Sequence, residues 1–210
     1  MNRDEIVAIV CALTGVAVLA LMDALMKGAS LAVGVYSAAL LRVTLGTLII
    51  APVWLTIRPK WPNRRVLSLH IERGVVSAFM GLSFFFALTK LPIAEAIALS
   101  FVAPLLALYL AAVMLGESID RRAIVASVIG FGGTLVIVGG RIGREAMDDE
   151  AALGLAALFV SALLYAYNFI VIRRQSQLAR PLEIAAFHSG VSAIVLGFGA
   201  PFFLVSPMPG

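Results

Sequence analysis

The sequence predicts an all-α fold, a polytopic membrane bundle of seven transmembrane helices, and three observations carry the prediction. Seven apolar runs, roughly 6–27, 33–57, 74–91, 93–115, 122–140, 152–172 and 184–205, each approach the ~20 residues a helix needs to cross about 30 Å of hydrocarbon. Composition fits a chain dissolved in lipid. Of its residues 61% are hydrophobic and 13% charged, and the mean hydropathy is +1.03, whereas soluble domains carry about 25% charged residues. Eleven of the sixteen basic residues keep to alternate gaps, while Lys27, Lys90, Arg141 and Arg144 lie in the others and Arg42 inside a run. Arg3 precedes the first run. Arg58, Lys60, Arg64, Arg65 and Arg73 follow the second, Arg121 and Arg122 the fourth, and Arg173, Arg174 and Arg180 the sixth. Basic loops stay on the cytoplasmic side. The expectation is a multi-pass protein of the cytoplasmic (inner) membrane, N-terminus inside and Gly210 outside.

Each element has its own reason. The first run has a basic start like a secretory leader, but it is too long for one and no A-x-A-like site follows, so it reads as a retained helix. It closes on Leu21-Met22-Asp23-Ala24-Leu25-Met26-Lys27, and a short 28–32 connection leads to the second run, with Arg42 about nine residues in. Pro59 and Pro62 stop that helix, and 58–73 is the longest cytoplasmic gap. The third run holds Ser77, Gly81, Ser83 and Phe84-Phe85-Phe86, the phenylalanines reading as lipid-facing or packed core. The turn Lys90-Leu91-Pro92 is so short that the third and fourth runs should form an antiparallel hairpin. Pro104 removes a backbone donor and favours a kink. In the fifth run Ala126, Gly130 and Thr134 recur at four-residue spacing, with Gly132 and Gly133 beside them, and predict a close helix–helix seam. The segment 141–150 is the most polar stretch and divides the chain into 1–145 and 146–210. Tyr36, Trp54 and Trp61 read as interface anchors.

The two parts share short likenesses. Ala20-Leu21-Met22-Asp23-Ala24 resembles Ala162-Leu163-Leu164-Tyr165-Ala166, and Ala38-Ala39-Leu40-Leu41 resembles Ala185-Ala186-Phe187-His188. With five helices per unit, any repeat is inverted, a common plan in transporters.

The stretch Leu91-Pro92-Ile93-Ala94-Glu95-Ala96-Ile97-Ala98-Leu99-Ser100-Phe101-Val102-Ala103-Pro104-Leu105, continuing to Leu115-Gly116-Glu117-Ser118, resembles the fourth helix of the EamA-type drug/metabolite transporters. The hairpin before it, the glycine-rich run after it and the acidic gap that follows resemble that family too. The resemblance implies ten helices in two inverted five-helix repeats around a central cavity, and export or exchange of small metabolites. Residues 1–145 then form the first repeat. Residues 146–210 begin the second, which is short by three helices, so a truncated product is expected.

Charged and polar groups at membrane depth are the functional candidates. Asp23 and Arg42 are expected to form a pair facing the bundle interior. In it Asp23 takes up a proton or meets a cationic substrate, and Arg42 tunes it or clamps an anion. The bland alternatives are a static pair, or Asp23 with Lys27 at i,i+4. The second half offers Tyr165, Tyr167 and Asn168 in the sixth run and His188 and Ser189 in the seventh. His188 can relay a proton or simply bond a neighbouring helix, and of the two tyrosines at most one lines a cavity, since i,i+2 neighbours diverge. Ser77, Ser83 and Ser100 can bond back to their own helices, with Ser100 a candidate for substrate contact. Glu117 beside Arg121 and Arg122 reads as a structural ion pair.

Other classes fare badly. There is no H-E-x-x-H, and histidines at 70 and 188 alone make no usual zinc site, so no metal is expected. A G-x-S-x-G elbow, a phosphate loop and a dinucleotide fingerprint are absent, so no cofactor is expected and no enzyme. Ala186-Phe187-His188-Ser189-Gly190 resembles the histidine helix of intramembrane serine proteases. The Gly-x-Ser-Gly partner is absent, since Gly81-Leu82-Ser83-Phe84 fails at its last position. Cys11 stands alone, without an intrachain disulfide. The net charge of +4 follows topology and does not point to nucleic acid. The expected partners are the bilayer, a small-molecule substrate and a second copy of the chain. The reading is a secondary carrier of small organic solutes working by alternating access, proton-coupled or exchanging. The alternative is a non-transporting helper, a remnant or a seven-helix scaffold.

Overall fold

The computed structural model describes residues 3–57, 61–100, 102–116, 121–142 and 149–203. All regular structure among them is helical: α1 Arg3–Val33, α2 Val35–Thr56, α3 Arg64–Lys90, α4 Ile93–Ser100, α5 Val102–Leu115, α6 Arg121–Ile142, α7 Asp149–Ser176 and α8 Pro181–Phe203. With α4 and α5 counted as the two parts of one span, Ile93–Met114, six helices among the described residues are long and apolar enough to cross a membrane. In α6 the described apolar stretch is shorter, Ile124–Gly133. Large apolar side chains point outward along the bundle, Phe198, Phe202 and Val136 each more than three-quarters exposed. That surface is stable where the solvent is hydrocarbon.

Two boundaries differ from expectation, and each difference moves a functional residue. Residues 28–32 are not a connection: α1 runs on to Val33, and the turn into α2 is the single residue Gly34, at φ 84°. Only glycine takes that left-handed geometry without strain. Asp23 therefore lies ten residues before the end of α1, nearly three turns rather than one. The expected loop 58–73 is helical from Arg64 onward. Asn63 caps the helix, its Oδ1 accepting from the Val66 amide at 2.9 Å. Arg73 thereby moves from a loop into a spanning helix.

α3 is the centre of the bundle. It packs mainly on α7 and α8, and less on α1 and α2. The expected hairpin of α3 with the fourth span is splayed: the two arms share few contacts, and α7 lies between them, packed on α3, α4 and α5. α8 sits in the angle between α2 and α3. Residues 149–203 thus complete one bundle with the helices before them.

The close helix approaches do not fall where the small-residue spacing of α6 placed them. A side chain at Gly130, Gly132 or Gly133 would meet no atom within 4 Å, and the Thr134 side chain lies outside the described residues. The tight crossings are elsewhere. At Gly74 a Cβ would overlap Val191, and there the Ser192 hydroxyl donates to the Gly74 carbonyl at 3.0 Å, fastening α8 to α3. At Gly154 a Cβ would lie 2.8 Å from that of Lys90, seating α7 against the α3–α4 turn. Without a hydrophobic force between helices in lipid, such close packing and interhelical hydrogen bonds hold the bundle. Trp54, expected at the interface, is buried instead, edge-on to Phe187 at 5.3 Å and to Trp61 at 5.6 Å.

Candidate functional site

Two polar clusters sit between α2, α3, α7 and α8. The first lies at the end of the bundle that carries Arg64, Arg65, Arg173 and Arg174, the basic end, and its hydrogen-bond roles follow from a chain of constraints. The Arg73 guanidinium, which only donates, gives an N–H to Gln175 Oε1 at 3.0 Å. That turns the Gln175 amide nitrogen toward His70 Nδ1, 2.6 Å away, so Nδ1 accepts. Nε2 then carries the hydrogen and donates to Glu183 Oε1 at 3.0 Å. The His70 ring is stacked on Phe187, centroids 4.5 Å apart, and is almost fully buried. Glu183, in the first turn of α8, also suits the positive end of that helix. One chain of bonds therefore ties α8, α3 and α7 and fixes the direction of Arg73.

The second cluster begins one turn further along. Arg42 of α2 lies over the Phe85 ring of α3, 5.6 Å from its centroid, with its outer nitrogens at the level of Gly81. Arg73 is eight residues, or about 12 Å at 1.5 Å per residue, nearer the basic end. His188 of α8 lies within Coulombic range of both arginines. The arrangement is a ladder of three basic groups from three helices. Arg42 Nε, Arg73 Nε and His188 Nδ1 are all buried and have no hydrogen-bond partner among the described residues. The donor and charge surplus of this cluster is what its geometry offers chemically: it can hold an acceptor-rich, negatively charged group.

The acidic groups nearby are engaged or out of reach. Asp23 and Arg42 interact electrostatically but make no contact ion pair. Lys27 is turned away from Asp23, its Nζ donating to the Leu91 carbonyl at 2.8 Å and so fastening α1 to the end of α3. Glu72 takes the hydroxyl of Tyr167.

The remaining candidates fall in other places. Tyr165 is exposed, and the tyrosine turned toward α3 is Tyr167. Asn168 is buried and turned to α3, its Oδ1 accepting from Ser77 at 3.5 Å and its amide facing the Met80 sulfur at 3.9 Å. Ser189 and Ser100 bond back to their own helices, Ser100 to the Ala96 carbonyl at 2.7 Å. Ser100 also belongs to α4, which packs on α6 and α7. Glu117 lies outside the described residues. Sequence reasoning missed His70, Arg73, Gln175 and Glu183. The signal for the first two was the spacing His70, Arg73, Gly74, Ser77, which is one helical face once the helix starts at Asn63.

Apolar spans enclosing these polar clusters define a multi-pass integral membrane protein. The chain belongs to the EamA-like transporter family, whose sequence profile matches residues 6–139. It is 27% identical to the pseudopaline exporter CntI of Pseudomonas aeruginosa over 83% of this chain and 59% of that protein. It is 26% identical to a Saccharomyces cerevisiae protein named as a probable transport protein, over 66% of this chain and 43% of the other. It thus spans about half the length of these relatives. A protein of known crystal structure, 21% identical, shares the fold with a TM-score of 0.62, covering 90% of this chain and 68% of that one.

Proposed function

We propose that the protein acts as a secondary carrier of small organic solutes across the cytoplasmic membrane by alternating access, with no catalytic step of its own. The observation that carries the reading is the ladder of Arg42, Arg73 and His188, buried among spanning helices of a transporter-family chain. Charge at membrane depth costs about 2.5–3.5 kcal/mol per residue on insertion scales and tends to be kept where a pathway uses it.

A second observation favours the inverted-repeat plan, in which α7 and α8 are the counterparts of α1 and α2. α2 and α8 pack on one another, as elements flanking a two-fold axis do. Counted from Val35 and Pro181, Arg42 and His188 are each the eighth residue of their helices. The crossing contacts Gly46 with Ser189 and Thr47 with Gly190 lie between them along the helices. Each basic side chain thus precedes the crossing on its own helix, Arg42 by four to five residues and His188 by one to two. On this reading the basic end faces the cytoplasm.

Counterflow in proteoliposomes tests the proposal. Vesicles holding the purified chain and preloaded with a candidate solute should accumulate the labelled solute transiently and saturably. Uptake no greater than in protein-free vesicles across a broad solute panel overturns it.

A further inference from the structure

We infer that the Arg42–His188–Arg73 ladder is a binding site for an organic anion, a small solute bearing a carboxylate or phosphate group. The inference rests on the carrier reading for its biological meaning but on separate observations for its chemistry.

Both arginines are permanently charged and donate only. Between them they bring ten N–H donors into the bundle. Arg73 gives one of these to Gln175, and Arg42 is held by the face of Phe85. No described carboxylate comes within 4 Å of either guanidinium. The carboxylates that approach this region from every packed element have other roles. Glu183 of α8 accepts from His70, and Glu72 of α3 accepts from Tyr167. Asp23 of α1 acts on Arg42 only from a distance. A planar guanidinium is matched by the two oxygens of a carboxylate or phosphate, which accept parallel hydrogen bonds. The cluster therefore selects oxyanions, and it disfavours ammonium-bearing solutes by repulsion at both guanidiniums.

The rungs are also held apart. Arg42 is anchored at the level of Gly81 and Arg73 is fixed toward the basic end by Gln175, with His188 within reach of both. Over the stretch between these levels an oxyanion can pass from one guanidinium to the other beside His188. The pre-set direction of Arg73, imposed by Glu183, His70 and Gln175, spares the ligand the cost of ordering that side chain.

The test is calorimetric titration of the whole chain in lipid nanodiscs with glutarate, benzoate and phosphoglycolate. Tetraethylammonium, glycerol, chloride and inorganic phosphate are the comparison solutes. At least one organic oxyanion should bind saturably, and Arg42→Gln and Arg73→Gln should each weaken it at least tenfold. Should either variant fail to fold, the wild-type protein decides: the bound oxyanion should protect Arg42 and Arg73 from phenylglyoxal, read by peptide mapping. The inference is overturned by binding that both variants retain unchanged, by absence of protection, or by binding confined to the amine, the neutral solute or the inorganic ions. It is overturned equally if nothing in the panel binds. Arginine-dependent binding without counterflow removes the carrier reading and leaves the anion site. Counterflow of neutral or cationic solutes alone does the reverse.

Discussion

His70 and His188 make an instructive pair. Both are histidines on spanning helices at the crossing of α3 and α8, and each sits beside an arginine. His70 has both ring nitrogens bonded and a phenylalanine stacked on its face. His188 has a buried Nδ1 with no partner and two arginines in Coulombic range. A saturated polar group in a low-dielectric interior holds structure together, whereas an unsaturated one is retained at a cost and points to a ligand. The same residue type, His70 stacked on Phe187 and His188 next to it in the chain, is thus saturated in one place and left with an unpaired nitrogen in the other.

The difference can be broken or sharpened by substitution. The largest effect should come from Gly74→Leu, which breaks the crossing that both clusters share. The new side chain collides with Val191 and the Ser192 bond, and over-packing costs about 1–3 kcal/mol or more. Size-exclusion chromatography in detergent should show loss of the monodisperse species. Next is His70→Ala, which strands Gln175 and Glu183 and should lower unfolding stability by about 1–3 kcal/mol in a denaturant titration. Tyr167→Phe removes one bond to Glu72 and should cost about 0.5–1.5 kcal/mol in the same titration, against no measurable change for the exposed Tyr165→Phe. The smallest stability change should be that of His188→Ala, well below that of His70→Ala, because no hydrogen bond is lost. Equal destabilisation by the two histidine substitutions would remove the contrast.

The membrane architecture was legible in the sequence because run length and basic-gap alternation report directly on the solvent. The family resemblance at 91–118 was legible as well. The polar interior was legible only in part. Arg42 and His188 stood out because each breaks an apolar run. Arg73 and His70 did not, since a charged segment after Trp61 and Pro62 reads as loop. One cap, Asn63, decides that it is helix. The seam expected along α6 shows the opposite failure. Small residues permit close approach but do not summon a neighbour, and the neighbours of α3 and α8 met at Gly74 instead. Pair geometry was out of reach for a simpler reason. A shift of α1's end by six residues re-sets the depth of Asp23 against Arg42, and composition says little about where a glycine turn such as Gly34 will fall.

The wedge position of α7 has a consequence for biogenesis. Membrane helices enter the bilayer in order of synthesis and associate afterwards. The arms Arg64–Lys90 and Ile93–Met114 leave the ribosome well before Asp149–Ser176, yet they meet chiefly through it. Until that later helix arrives, these two arms have few contacts with one another, and Ser77 and the carbonyl of Met80 lack the partners it brings. The nascent chain is therefore most exposed to mispairing and quality-control recognition during the synthesis of residues 116–176.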